Sequence, residues 1–215
     1  MRLPVRPGWS HERDRASVGF TCVAGIDEVG RGCLAGPVVA AAVVLRPGCR
    51  LPGVNDSKLL TAAEREALLR PILRSARAWG FGAAGAREID DINILNATRL
   101  AMRRAVEALH VRPDHLLIDA IFLHDMPVAQ TAIVKGDRIS VSIAAASILA
   151  KVVRDRVMDY FDRLYPGFGF AAHKGYCTSE HRRAVAERGP SPIHRLSFRG
   201  VLPEPGLNSG EILGH

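Results

Sequence analysis

Val38-Val39-Ala40-Ala41-Ala42-Val43-Val44-Leu45 is an unbroken apolar run in which half the residues are β-branched. A strand that alternates apolar and polar residues has one wet face; this one has none, so it reads as a strand covered on both sides. The chain must therefore supply layers to cover a sheet. Thr21 to Ile26, Trp79 to Ala86, His115 to Ile118 and Val128 to Val134 read as further strands. Thr61-Ala62-Ala63-Glu64 has the form of a capping box opening a helix toward Ala76, with Pro71 forcing a kink or restart. Ile94, Leu95, Thr98, Met102, Val106 and Leu109 recur at helical spacing, and Arg112-Pro113 stops that helix. Ile139 to about Tyr165 reads as one long helix or two abutting ones, ended by Pro166-Gly167. A Gly- and aromatic-rich loop and a short helix after Thr178 follow. The sum is a mixed α/β sheet. Residues 1–18 are expected to form a loose arm, 19–155 a core, 156–200 a basic helical segment packed beside it, and 201–215 a tail.

A content of 47% hydrophobic residues in 215 is ample for a buried core and argues against a disordered or fibrous chain. The formal charge is +7, and residues 151–200 hold ten Lys and Arg against five Asp and Glu, which suits an acidic partner such as nucleic acid. Cys22, Cys33, Cys49 and Cys177 form no C-x-x-C pair, so they read as free thiols rather than a structural zinc site. With no signal-like apolar segment at residues 1–7 and no apolar run of membrane-spanning length, the expectation is a soluble, cytoplasmic protein without a membrane partner, and a monomer by default.

Asp27, Asp119 and Asp137 each fall where a predicted strand gives way to a loop, and Glu28 adjoins the first. Any one of them alone reads as a cap or turn residue. Together they form a cluster whose members would repel one another unless cations occupied it, and oxygen-only donors favour Mg2+ or Mn2+ over Zn2+. Two such ions suit in-line displacement at phosphorus. Neighbours in a regular strand face opposite ways, so Asp27 and Glu28 are expected to need a local irregularity, supplied by Gly30-Arg31-Gly32. Gly30-x-Gly32-x-x-Ala35, with Asp56 further on, also nearly fits a dinucleotide fingerprint. That reading needs a helix after the glycines, where Pro37-Val38-Val39-Ala40 reads as a strand.

Gly25 to Gly32, Asn55-Asp56-Ser57-Lys58, Glu88 to Leu95, Leu117-Ile118-Asp119, Val134-Lys135-Gly136-Asp137, Ala144 to Lys151 and His173-Lys174-Gly175-Tyr176 follow one another as motifs do in bacterial ribonuclease HII. From Gly25 to about Phe198 the chain resembles that family. The resemblance implies a ribonuclease H-like mixed five-stranded sheet flanked by helices, with a small C-terminal helical segment. It implies a metal-dependent endonuclease, using Mn2+ or Mg2+, that acts on RNA·DNA hybrids and on ribonucleotides embedded in duplex DNA. Asp27, Glu28, Asp119 and Asp137 would be its catalytic, metal-binding carboxylates. Gly30, Arg31 and Gly32 would contact a ribose 2′-OH, and Tyr176 would stack on the adjoining deoxyribose. Lys58, Ser147, Lys151 and Lys174 resemble positions near phosphates. Leu59, where many relatives carry a second lysine, and Ala120-Ile121, where Gly-Asn is frequent, depart from the pattern. Two further classes are a hybrid-binding module without turnover and a nicotinamide-cofactor oxidoreductase.

Overall fold

The computed structural model describes residues 6–202. Five strands, β1 (Val23–Val29), β2 (Val38–Leu45), β3 (Ala76–Ala84), β4 (His115–Asp119) and β5 (Ala129–Ile133), form one sheet in the order β3-β2-β1-β4-β5. β2 is antiparallel to both of its neighbours, whereas β1, β4 and β5 run parallel. All eight residues of β2 are buried. Its even-numbered residues from Val38 to Val44 pack under α3 (Ala86–Glu107), and Ala41, Val43 and Leu45 pack with α2 (Ala62–Ser75) and α4 (Val141–Leu164). Its antiparallel pairing does not spare it from burial, because helices cover both faces.

The predicted capping box at α2 is present in full: the Thr61 side chain accepts from the Glu64 N–H, and the Glu64 carboxylate accepts from the Thr61 N–H. Pro71 does not restart this helix. It is exposed, as is Ala67 one turn earlier, so the carbonyl that loses its partner lies on the watered side. α3 begins earlier than the apolar spacing indicates, at Ala86, and breaks at Asn93, whose φ is 65° and ψ 164°. The Asn93 side chain accepts from the N–H groups of Leu95 and Asn96, which makes it the cap of the predicted second half.

α4 is a single helix capped by Ser140 and runs unbroken through residues 155–156, so the core and the basic segment share it. It approaches β1 closely at Gly25, where a Cβ would lie 2.2 Å from the backbone carbon of Ser142. Beyond it, α5 (Phe170–His173) is a single turn within the aromatic loop, and α6 (Ser179–Arg188) is the short helix expected after Thr178, which caps it. The expected loose arm is, over its described part, the helix α1 (Ser10–Ser17), which buries Glu12. The tail from 203 onward lies outside the described residues. All four cysteines are free, with Cys22 and Cys33 buried and Cys177 exposed. Among the described residues no helix is long and apolar enough to cross a membrane.

Candidate active site

β1 and β4 end side by side. Their parallel register sets Ile26 opposite Ile118, so Asp27 and Asp119 follow as neighbours that leave the same face of the sheet, toward α4. Burial, then the charges of Glu28 and Asp119, holds the Asp27 carboxyl well above the usual carboxylate range. Its Oδ1 accepts from the Glu28 N–H at 2.7 Å. β1 stays regular through both acids, with Asp27 opposite Ala41 and Glu28 opposite Ala40, so the expected irregularity is absent. Glu28 leaves the other face. It lines the cleft beside Gly30 to Gly32, which Asp27, Asp119 and Asp137 do not line, and burial and Asp119 raise its pKa against the pull of Arg31. Its Oε2 is buried without a hydrogen-bond partner.

Asp137 is not the cap of α4, a role that Ser140 takes. It sits in a short 3-10 turn, Gly136–Arg138, and is only 3% exposed. Burial, followed by the charge of Asp56, raises its pKa to about 6. The turn is tied to the β4 end by the Gly136 N–H, which donates to Asp119 Oδ1 at 2.8 Å. Ala120 and Lys135, beside these acids, both adopt left-handed backbone at φ 56° and 57°, the kind of strain that collects at functional sites.

Lys58 Nζ lies 3.7 Å from Asp137 Oδ2, and burial lowers its pKa less than Asp137, Asp27, Asp56 and Asp119 raise it. Asp56, which the dinucleotide reading would place on a ribose, is an internal anchor. It accepts from the Lys58 N–H and from the Arg138 guanidinium, both at 2.9 Å. After Gly32 comes β2 rather than a helix, so that fingerprint fails.

Gly30, Arg31, Gly32, Lys58, Ser147, Lys151 and Tyr176 line one cleft of about 240 Å3 together with Glu28. Ser147 and Lys151 share a face of α4 as their spacing requires; Ser147 Oγ lies 2.9 Å from Ser57 Oγ, and Lys151 donates to Asp155 at 2.7 Å. The Tyr176 ring is 41% exposed and has Lys151 Nζ and the Arg154 guanidinium carbon within 6 Å of its centre, at 5.8 and 5.9 Å. Lys174 is the exception: its ammonium pairs with Asp159 and is not among the residues lining the cleft.

The two glycines of the turn differ. A Cβ on Gly30, where φ is 96°, would lie 2.2 Å from Arg154 Nε; one on Gly32 would meet nothing within 4 Å. Gly30 is small for the protein's own interior, whereas Gly32 has open space beside it. Beneath the turn lie two fully buried guanidiniums that motif spacing did not single out. Arg195 donates to the carbonyls of Gly30, Arg31 and Gly36 at 2.7, 2.8 and 2.9 Å. Arg154 donates to those of Pro37, Lys174 and Ala35 at 2.9, 2.9 and 3.2 Å. Neither forms an ion pair among the described residues, and burial lowers the Arg195 pKa to about 10. With the Gly30 and Arg31 carbonyls turned inward, the N–H groups of Arg31 and Gly32 have no partner among the described residues.

The Tyr176 loop has its own support. Ser191 N–H donates to His194 Nδ1 at 2.9 Å, and His181 Nδ1 lies 2.8 Å from the Tyr176 carbonyl, which can only accept. With both rings neutral, His194 Nε2–H must then donate to His181 Nε2, 3.0 Å away. Asp90, in the predicted Glu88 to Leu95 stretch, takes the N–H groups of Leu196 and Ser197, both at 2.9 Å, and so holds the strand of chain carrying Arg195. No signal in the sequence marks Arg154 and Arg195: Arg154 stands beside Asp155 and Arg156 like any exposed helix residue, and Arg195 falls in a loop.

The carboxylate end suits a hard divalent cation, on the chemistry of its donors and the unpartnered Glu28 Oε2. Among the described residues no three carboxylate, imidazole or thiol groups are gathered closely enough to hold a metal ion by themselves. Open sets of this kind suit ions that keep water ligands and share a substrate's phosphate oxygens.

A sequence model described as Ribonuclease HII matches residues 24–201. Ribonuclease HII of Geobacter sulfurreducens is 58% identical over 193 residues, covering 90% of this chain and 89% of that protein. The crystal structure of ribonuclease H2 from Pyrococcus horikoshii superposes with a TM-score of 0.73 at 26% identity, covering 84% of this chain and 95% of the other. A structure of Bst-RNase HIII in complex with Mn2+ shares the fold, with a TM-score of 0.61, 22% identity and coverage of 86% and 70%.

Proposed function

The chain belongs to the ribonuclease HII family of metal-dependent ribonuclease H hydrolases. On that premise we propose that it cuts the RNA strand of RNA·DNA hybrids and nicks duplex DNA 5′ to embedded ribonucleotides, leaving 3′-OH and 5′-phosphate ends. The observation that carries this reading is a cleft lined by Glu28, the Gly30 to Gly32 turn, Lys58, Ser147, Lys151 and Tyr176, with Asp27 and Asp119 near enough to Glu28 for the three carboxylates to act on one another electrostatically.

Asp27, Glu28, Asp119 and Asp137 would hold two divalent ions, Mg2+ or Mn2+, which when bound supply an activated water and stabilise charge on the leaving 3′-oxygen. The remaining roles belong to the chain itself. The unspent N–H groups of Arg31 and Gly32 donate to the ribose 2′-oxygen, which DNA lacks. Gly32 leaves the sugar room to approach. Tyr176 offers an exposed ring face to the neighbouring deoxyribose, and the cations behind it favour an anionic strand. Lys58, Ser147 and Lys151 take phosphate contacts, while Lys174 acts mainly through its carbonyl on Arg154. The proposed setting is the cytoplasm, with the protein a monomer.

The test incubates the protein with duplexes carrying one ribonucleotide, four or none, in Mg2+ and in Mn2+, and maps the cuts. Cleavage 5′ to ribose, abolished by chelation, is expected. Cutting of the all-DNA duplex would overturn the 2′-OH readout.

A further inference from the structure

The helix α1 precedes the span 24–201 that matches the family, and its sequence, SHERDRAS, is polar almost throughout. Yet Glu12 is only 9% exposed. Carboxylates are rarely buried without cause. Glu12 Oε1 accepts from Ser140 Oγ at 2.6 Å, Ser142 Oγ at 2.6 Å and Ser142 N–H at 3.0 Å, which sets it at the positive end of α4. The Gly8 N–H donates to the Ile139 carbonyl at 2.9 Å, and the Gly8 carbonyl accepts from Val141 N–H at 3.1 Å. Residues 8 and 12 thus grip 139–142 on both sides.

The gripped segment continues directly from the turn that carries Asp137. The N–H groups of Ile139 and Ser140 donate to the Gly136 carbonyl at 3.0 and 2.8 Å, and Gly136 N–H holds Asp119. On the other side Ser142 packs against Gly25, two residues before Asp27. Three of the acids are therefore linked to Glu12 through short, buried contacts. Glu12 Oε2 is buried with no hydrogen-bond partner, so this carboxylate is a poor device for stability alone.

We propose that α1 braces the catalytic end of the sheet, and that Glu12 is a positioning residue that fixes the 136–140 turn and so the placement of Asp137 against Asp119 for a divalent ion. This rests on the reading of those two aspartates as metal carboxylates. The test uses the full chain and its Glu12→Ala, Glu12→Gln, Asp137→Asn and Met102→Ala variants, the last a core change under α3 on the opposite face of the sheet. Mn2+ binding is measured by calorimetry below each variant's unfolding temperature, and kcat and KM on an RNA·DNA hybrid.

Glu12→Ala is expected to weaken Mn2+ binding roughly tenfold, the lower end of what loss of an outer partner costs, and to lower kcat more than it raises KM. Glu12→Gln, which keeps an acceptor, recovers most of both, and Met102→Ala binds Mn2+ like the parent. If Glu12→Ala does not fold, Ser142→Ala removes one donor and shifts binding in the same direction. Parent-like Mn2+ binding by the Glu12 variant, or by Ser142→Ala in its place, overturns the brace, as does equal weakening in Met102→Ala. Parent-like binding by Asp137→Asn overturns the metal assignment instead.

Discussion

The two halves of the cleft are built on opposite electrostatic terms. At the strand ends, acids crowd together: Asp27 is raised well above the usual range by burial and by Glu28 and Asp119, and Asp137 to about 6. Under the glycine turn the buried charges are positive, and Arg154 and Arg195 spend them on carbonyl groups rather than on carboxylates. Asp27, Glu28 and Asp119 stand on regular strands whose register aligns them, and Asp137 on a short turn tied to Asp119, so their geometry is easily set and their charge is costly. The turn is irregular backbone, so its charge is easily satisfied and its shape needs clamps from more than 100 residues away in sequence. One half is sensitive to charge, the other to shape.

The contrast breaks most visibly at Asp119. Asp119→Asn keeps an acceptor for the Gly136 N–H but removes the charge, so cleavage should fall by about 10³-fold or more while thermal stability holds or rises, as calorimetry would register. Full activity in this variant would sink the carboxylate assignment. Arg195→Met should show the reverse balance. Loss of donors to Gly30, Arg31 and Gly36 costs about 3 kcal/mol in urea unfolding, and cleavage at a single ribonucleotide should fall more than cleavage of a long hybrid. Arg195→Lys should rescue little, because one ammonium cannot reproduce a planar fork.

Acid should loosen the same half of the cleft. Burial and His181 depress the His194 pKa from 6.5 to about 4, and His181 is lowered too, first by burial. Depressed imidazoles bind protons more readily in the unfolded chain, so their contribution is complete above about pH 6.5 and is lost as pH falls toward 4. That loss is on the order of 2–3 kcal/mol for His194. His194→Asn should flatten this part of the stability curve between pH 7 and 4.5; an unchanged slope would refute the neutral pair. The smallest effect is expected at Ala120, whose φ of 56° strains a side chain. Ala120→Gly trades that strain against unfolded-state entropy, for a net gain of up to about 0.5 kcal/mol and no change in kcat.

Much of this was legible from local pattern. The span of β2, the capping box at Thr61, the short helix after Thr178, and the strand ends that carry Asp27 and Asp119 all follow from short-range chemistry. Pro71 misled because its cost depends on whether the freed carbonyl meets water, and α1 because its polar residues hide one buried acid. Lys174 misled because an ammonium in a suitable motif can still turn to a nearby aspartate.

The sequence by itself determined a two-sided sheet and singled out the acids and glycines of the candidate site, since periodicity, caps and ordered motifs are properties of neighbouring residues. Only the tertiary structure decided why Gly30 must be glycine, which carbonyls Arg154 and Arg195 hold, how His181 and His194 share their protons and where Glu12 docks. Those facts depend on groups far apart in the chain meeting in one buried place, where a polar atom must find its partner or stay unpaid.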